Sequence, residues 1–101
     1  MILLHARVPL DPDGRDDALD AIADLAEASR AEDGVIDYRA TTEVGDGDVV
    51  HFVEQYEDEA ALGSHTETDH YQSFAAALPE FLAGRPEITR FDVESASELD
   101  L

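Results

Sequence analysis

Apolar and polar residues alternate over residues 2–9, with the two-residue period of a β-strand that buries one face. The apolar face of this segment carries Ile2, Leu4, Ala6 and Val8. The same period predicts a second strand over 35–44, with Ile36, Tyr38 and Ala40 on one face, a third over 49–56 and a fourth over 86–94. Residues 45–48, Gly-Asp-Gly-Asp, separate the second strand from the third and favour a tight hairpin loop.

The period changes to that of an α-helix in two parts of the chain. Over 15–31, apolar side chains recur every three or four residues and acidic side chains fill the opposite face. Asp58 is a suitable N-cap for a short helix over 59–65. A second start signal, Thr66 followed three residues later by Asp69, predicts another helix after it.

The resulting order is strand, helix, strand, strand, helix, strand. Right-handed crossovers then predict an α+β, ferredoxin-like βαββαβ fold, in which a four-stranded antiparallel sheet carries its helices on one face. We expect a single domain over 1–95 and a flexible acidic tail over 96–101. The other face, which includes His5 and His51, is half apolar, so we expect a homodimer through the sheet face. Structural packing is the favoured role of these two histidines.

The charge balance restricts the partners of this protein. The chain has 25 Asp and Glu residues against 6 Arg and no Lys, and its net charge of −19 disfavours a nucleic-acid partner. Because 44% of the residues are apolar, the acidity predicts a folded protein adapted to a concentrated salt cytoplasm, as in a halophile.

The chain shows neither an 18-residue apolar run nor a signal-peptide pattern, so we expect a cytoplasmic protein without a membrane partner. Cysteine is absent, which excludes thiolate chemistry.

Several motifs follow one another along the chain in a characteristic order. They are Arg15-Asp16, the stretch from Ala28 to Tyr38, the stretch from Phe52 to Leu62, His65, His70 and Pro86-Glu87-Ile88. Together they resemble the antibiotic biosynthesis monooxygenase (ABM) family over nearly the whole chain. The resemblance implies dimers of ferredoxin-like subunits, forming a dimeric α/β barrel, with a pocket between sheet and helices. It also implies oxidation by O₂ without flavin or metal, since characterised relatives include quinol and anthrone monooxygenases of that kind.

Other branches of the family depend on residues that this chain lacks. The haem-degrading branch uses an Asn, a Trp and a His, whereas this chain has no Asn or Trp. His65 stands about where that Trp would be, and Ala75 about where the haem-ligating His would fall. The anthrone-oxidising branch also uses Asn and Trp. The resemblance is identified as one to the quinol-monooxygenase-like branch, and the missing residues disfavour haem binding or degradation.

Glu54 is the first candidate for the catalytic base. The strand period places it on the helix-facing side together with Phe52 and Tyr56. Cofactor-free oxygenation needs a base that forms an electron-rich phenolate or carbanion, and burial of a carboxylate raises its pKa toward that task. The alternative is that a bulge turns Glu54 to solvent, or that an Arg pairs with it.

His65 and His70 are further catalytic candidates. Histidine exchanges protons near neutral pH, and His65 lies one turn after Leu62 on the side that leans toward the core. Glu54 and His65 thus remain alternative bases, while Tyr56 and His70 could donate hydrogen bonds to the developing negative oxygen. The alternative for both histidines is a structural hydrogen bond at a helix end.

A metal site is conceivable but disfavoured. The available ligands would be His51, His65, His70 and Glu54. On one continuous helix, the five-residue spacing of the two later histidines places them about 140° apart. We therefore expect no metal and no other cofactor.

Five aromatic residues could line a pocket for a small aromatic substrate or ligand. They are Tyr38, Phe52, Tyr56, Tyr71 and Phe74. Ordinary core packing is the commoner role of such residues. Two functions stay open: a cofactor-independent monooxygenase acting on a quinol- or anthrone-like aromatic, and a non-catalytic dimeric module that binds a small molecule.

Overall fold

The computed structural model describes all 101 residues. Its strands are β1 (Ile2–Pro9), β2 (Val35–Glu43), β3 (Asp46–Tyr56) and β4 (Glu87–Asp92), and its helices are α1 (Arg15–Arg30), α2 (Glu59–Thr66) and α3 (Asp69–Ala77). The strands form one sheet in the order β2-β3-β1-β4, and every neighbouring pair is antiparallel. This is the predicted ferredoxin-like α+β fold. None of its helices combines the length and the apolar character needed to cross a membrane.

The core lies between the sheet and the helices on its covered face. Alternate residues of β3 are buried on that face, namely Val50, Phe52, Glu54 and Tyr56. From α1, the side chains of Ile22, Leu25 and Ala26 pack into the same core, as the helical period predicted. The third strand therefore presents one polar side chain, Glu54, in a row that is otherwise apolar or aromatic.

The predicted side of the sheet is wrong for one residue of β2, Ile36. The sequence period grouped Ile36 with Tyr38, but Ile36 is 52% exposed while Tyr38 is buried. The register between β2 and β3 shifts between Val35 and Asp37, and Val35 packs against the core in place of Ile36. An extra residue in one strand reverses the faces of the residues beyond it, which accounts for the difference.

The predicted start of the later helix is wrong by two residues. Asp58 caps α2 as expected, and its carboxylate accepts a hydrogen bond of 2.8 Å from the backbone N–H of Ala61. The N-cap of α3 is Thr68, whose hydroxyl oxygen accepts a bond of 3.2 Å from the N–H of Tyr71. Thr66 instead ends α2. The chain turns a corner between the two helices, which separates His65 on α2 from His70 on α3.

The sheet face opposite the helices is open and carries a pair of histidines. The rings of His5 and His51 stack with centroids 5.1 Å apart, and Nε2 of His5 lies 2.9 Å from Nδ1 of His51. Nε2 of His51 donates a hydrogen bond of 2.9 Å to Glu43, and this bond lowers the pKa of the Glu43 carboxyl. Beside the pair, Leu3 of β1 lies across from Phe91 of β4, which is 49% exposed.

We expect Gly34→Ala to lower the free energy of unfolding by at least about 2 kcal/mol. Gly34 has a φ of +85°, and a Cβ at this position would lie only 2.7 Å from the Cβ of Ala61 on α2. The turn between α1 and β2 therefore packs on α2 only because residue 34 lacks a side chain. Urea denaturation in molar KCl measures the change.

Gly45→Ala is the matched control for this prediction. Gly45 has a similar φ of +90°, but a Cβ there would meet no atom within 4 Å. The control incurs backbone strain alone and should lose less stability than Gly34→Ala. Equal losses in the two variants would show that the contact between Gly34 and Ala61 is unimportant.

Candidate active site

A cavity of about 150 Å³ lies between the sheet and the helices. Ten of its twelve lining residues are hydrophobic, so a polar lining group stands out. Five of the eight predicted site residues line it: Tyr38, Phe52, Glu54, Tyr71 and Phe74. They come from β2, β3 and α3, and the ring of Phe52 contacts those of Tyr38 and Phe74 edge to face. The mouth includes Ile88 of β4, which is 67% exposed.

Glu54 is the only buried carboxylate of the protein, with 9% of its surface exposed. Its Oε1 accepts a hydrogen bond of 2.5 Å from the hydroxyl of Tyr56. Burial raises the pKa of Glu54, because the charged form loses its hydration. The Tyr56 hydrogen bond, the nearby imidazole of His65 and the Tyr38 hydroxyl oppose this rise in the pKa of Glu54 without cancelling it. An ionisable group with a raised pKa thus touches an apolar cavity.

The two tyrosines beside Glu54 are held as proton donors. Burial, followed by the negative charge of Glu54, raises the pKa of Tyr38 and of Tyr56 well above the usual range. Both hydroxyls therefore stay protonated. Tyr56 is fully buried and does not line the cavity, since its hydroxyl is directed at Glu54. Tyr38 and Tyr71 are the tyrosines that a bound molecule could contact.

His65 lies on α2 and does not line the cavity. The side chain is almost fully buried among three tyrosines, with its ring centroid 5.4 Å from those of Tyr38 and Tyr56 and 5.1 Å from that of Tyr71. Its Nδ1 lies 2.8 Å from Oε2 of Glu32. Its Nε2 is buried without any hydrogen-bond partner. The imidazole is therefore fixed at one nitrogen and unpaired at the other.

His70 is also outside the cavity. It borders a separate groove on the surface of α1 and α3. Its Nε2 lies 2.7 Å from the same Oε2 of Glu32 that contacts His65. The structure thus joins two predicted site residues through a third residue, Glu32, which the sequence analysis missed.

Glu32 has no recognisable pattern in the sequence. It lies in the turn between α1 and β2, 33 residues from His65 and 38 residues from His70. Only the neighbouring Gly34, which lets this turn pack on α2, gives an indirect signal. The sequence shows that the turn exists but not which side chains it meets.

Three side chains offer possible ligand atoms for a divalent metal within 4.8 Å of one another. They are Glu32, His65 and His70. The sequence argument against a metal assumed one continuous helix, and that premise is wrong because the two histidines lie on different helices. A tetrahedral ion with bonds of 2.0–2.1 Å requires donors about 3.3 Å apart. The two nitrogen-to-oxygen distances here are 2.8 and 2.7 Å. As the side chains stand, the spacing fits hydrogen bonds.

Fold and site together define a small ferredoxin-like domain that encloses an aromatic cavity with one buried carboxylate. Such a site suits acid–base chemistry on an apolar ligand. The sequence matches the family described as antibiotic biosynthesis monooxygenase (ABM) over residues 1–77. The protein belongs to this family.

One relative known by sequence and two solved structures are similar to this chain, and the structures share its fold. The chain is 33% identical over 93 residues to the protein named "Putative monooxygenase YcnE" of Bacillus subtilis (strain 168), covering 92% of this chain and 98% of the relative. The structure of Rv0793 from Mycobacterium tuberculosis superposes with a TM-score of 0.89 at 24% identity, covering 96% of this chain and 98% of that one. A conserved protein from Methanosarcina mazei Go1 gives 0.84 at 26% identity, with 89% of each chain covered.

Proposed function

We propose that the protein is a monooxygenase that oxidises a quinol-like aromatic with O₂, without flavin or metal, and that Glu54 is its base. The observation that carries this proposal is a buried carboxylate of raised pKa at the wall of an apolar cavity. A module that only stores an apolar ligand has no need of such a group, because burying a charge there is costly. Membership of the ABM family supports oxygen chemistry.

The size of the cavity favours a small substrate. An apolar cavity of about 150 Å³ accommodates a single benzene ring. The cavity of this protein has a similar volume, with an exposed mouth beside Ile88. A one-ring quinol fits this space, and a second ring could reach the mouth, whereas a three-ring anthrone requires the mouth to widen. We therefore favour a quinol over an anthrone.

The proposed reaction is balanced without an external reductant. Glu54 accepts a proton from a quinol hydroxyl, and the resulting phenolate transfers electrons to O₂. One oxygen atom forms a bond to a ring carbon, whose C–H bond breaks with loss of a proton. The O–O bond then breaks, and the other oxygen atom takes up two protons and leaves as water. Quinol plus O₂ thus gives hydroxyquinone plus water, and the quinol supplies all the electrons. The hydroxyls of Tyr38 and Tyr71 can stabilise negative charge on the reacting oxygen.

Oxygen uptake tests this proposal. The pure protein, in molar KCl, is given reduced one-ring quinols, two-ring quinols and an anthrone, each with an autoxidation blank. We expect uptake above the blank for the smaller quinols, and labelled O₂ should place one labelled atom in the product. Uptake equal to the blank for every compound, with folded protein, would favour the binding module. A Soret shift on adding haem, without quinol oxidation, would point to the haem branch.

We further propose a homodimer through the open sheet face. This face carries the apolar side chains of Leu3, Val53 and Phe91 around the stacked His5 and His51. All six residues of β4 are exposed in the single chain, which supports a covering partner. We expect sedimentation in molar KCl to give twice the mass of one chain, and Phe91→Asp to give monomers, because a buried unpaired charge opposes association.

Val44→Asp is the control for the homodimer. Val44 is an equally apolar and fully exposed residue, but it lies at the hairpin between β2 and β3, away from the proposed interface. This variant should sediment as the parent protein does. A monomeric parent, or a Phe91→Asp variant that stays dimeric, would contradict the proposed interface.

A further inference from the structure

We propose that Nε2 of His65 is the second proton acceptor of the site, and that Glu32 is the positioning residue that keeps this nitrogen available. The inference rests on the proposed quinol oxidation. In that reaction the quinol loses both hydroxyl protons and one ring proton. Glu54 holds one proton at a time. A second acceptor near the cavity lets another proton leave before Glu54 has passed on the first.

His65 is the remaining buried proton acceptor of the protein. The buried polar residues are Ser29, Glu54 and His65. A serine hydroxyl does not hold an extra proton at neutral pH, whereas an imidazole does. The imidazole lies against Tyr38 and Tyr71, two residues that line the cavity. In this proposal a proton from the cavity reaches Nε2 through the hydroxyl of one of these tyrosines, which must move within bonding distance during turnover, because Nε2 has no hydrogen-bond partner in the folded protein.

Glu32 decides which nitrogen of His65 is free. An ionised carboxylate has only acceptor atoms, so the imidazole nitrogen that contacts it must carry a hydrogen. Nδ1 of His65, at 2.8 Å from Oε2, therefore donates to Glu32. In the neutral imidazole Nε2 then has no hydrogen, and its lone pair is buried without a partner. When Nε2 accepts a proton, the imidazolium that forms is paired with the Glu32 carboxylate.

His70 holds Glu32 in place. Its Nε2 donates a hydrogen bond of 2.7 Å to the same Oε2 that accepts from His65. The centroids of the two imidazole rings are 6.2 Å apart. Two buried side-chain atoms of the protein have no hydrogen-bond partner, Oγ of Ser29 and Nε2 of His65, and each unpaired atom costs about 1–3 kcal/mol. Of the two, only Nε2 of His65 can hold an extra proton at neutral pH. A reacting group that takes up a proton during turnover accounts for this unpaired atom.

The open sheet face provides a matched control. There, Nε2 of His51 donates to Glu43 at 2.9 Å, and Nδ1 of His51 accepts from His5. Glu43→Gln thus removes the same charge from the same kind of histidine contact, away from the cavity. Glu32→Gln and Glu43→Gln can be compared directly.

The first experiment needs no substrate. Nitrogen-15 NMR of the histidine rings in molar KCl should show His65 with a proton on Nδ1 and none on Nε2. In Glu32→Gln, the amide N–H of the glutamine can donate to an unprotonated Nδ1, and the imidazole proton is then on Nε2. We therefore expect a fraction of the molecules to have the proton of His65 on Nε2. Glu43→Gln should leave the His65 signals unchanged. A proton on Nε2 of His65 in the parent protein, or the same tautomer in Glu32→Gln, would overturn the proposal.

The second experiment follows turnover with the best quinol. Glu32→Gln should lower kcat by about 100-fold with little change in KM, as expected when proton transfer is impaired. Glu32→Asp should restore most of the loss, and Glu43→Gln should keep the parental kcat. Undiminished kcat in Glu32→Gln would overturn the proposal. If no form consumes O₂, the proposed oxidation fails, while the NMR result still decides what Glu32 does to His65.

Discussion

Replacing Glu54 by glutamine should abolish quinol oxidation and at the same time stabilise the folded protein. Removal of a general base typically lowers kcat by about 10²–10⁴-fold. The amide keeps the size of the side chain, and its oxygen can still accept the hydrogen bond from Tyr56. Loss of activity would therefore reflect the missing proton acceptor and not a collapsed cavity. Oxygen uptake with the best quinol, in molar KCl, measures the effect.

The stability change has a defined dependence on pH. Burial raises the pKa of Glu54 in the folded protein above its value in the unfolded chain. The folded state then binds a proton more tightly, so the contribution of Glu54 to stability is full below the unfolded pKa and declines as pH rises through the folded pKa. Above that range, an ionised carboxylate is buried at a cost that glutamine avoids. Glu54→Gln should melt higher than the parent at pH 8, and the difference should shrink at acid pH.

Glu57→Gln is the control for both effects. Glu57 is exposed and lies three residues from Glu54, so its substitution removes the same charge from a protein of net charge −19. Kinetics and melting of this variant should remain close to those of the parent. If Glu54→Gln retained full activity, Glu54 would not be the base. If it were less stable than the parent at pH 8, the contacts of Tyr56, His65 and Tyr38 with Glu54 would outweigh the cost of burying its charge.

The alternation of side chains along β3 made the position of Glu54 predictable. A strand in the middle of a sheet has a fixed period of two, and the residues around Glu54 are apolar on the same face. The fold followed from the order of such periodic segments. The same reasoning wrongly grouped Ile36 with Tyr38 on one face of β2, because a bulge between Val35 and Asp37 leaves no mark in the pattern of apolar residues.

The contacts of Glu32 could not be predicted from the sequence. They depend on the corner between α2 and α3, which starts α3 at Thr68 and turns His65 and His70 toward the same oxygen. Capping signals alone put that start at Thr66, so the relative direction of the two histidines was open. Local patterns determine the faces of single elements. This site instead joins the turn after α1 to two consecutive helices, α2 and α3, that lie 33 and 38 residues further along the chain at His65 and His70.

Low salt should unfold this protein or weaken it strongly. The protein has 25 Asp and Glu residues but only six Arg residues, and most of the acidic side chains are exposed at the surface. Their mutual repulsion reaches about 10 Å at 0.1 M salt and only about 3 Å at 1 M. We expect the melting temperature to rise by roughly 10–20 °C between 0.1 M and 2 M KCl, which corresponds to about 2–3 kcal/mol for a domain of this size. Calorimetry at constant pH measures the rise.

A variant of α1 tests whether charge repulsion is the cause. Asp17, Asp20 and Asp24 are exposed at successive turns of this helix and have no salt-bridge partner. Like charges at such spacing destabilise a helix by about 0.2–0.5 kcal/mol per pair. Replacing all three by Asn should raise the melting temperature at 0.1 M KCl and change it little at 2 M. Sucrose at equal osmolality should not replace the salt. A melting temperature independent of KCl would mean that the surface acids serve solubility alone.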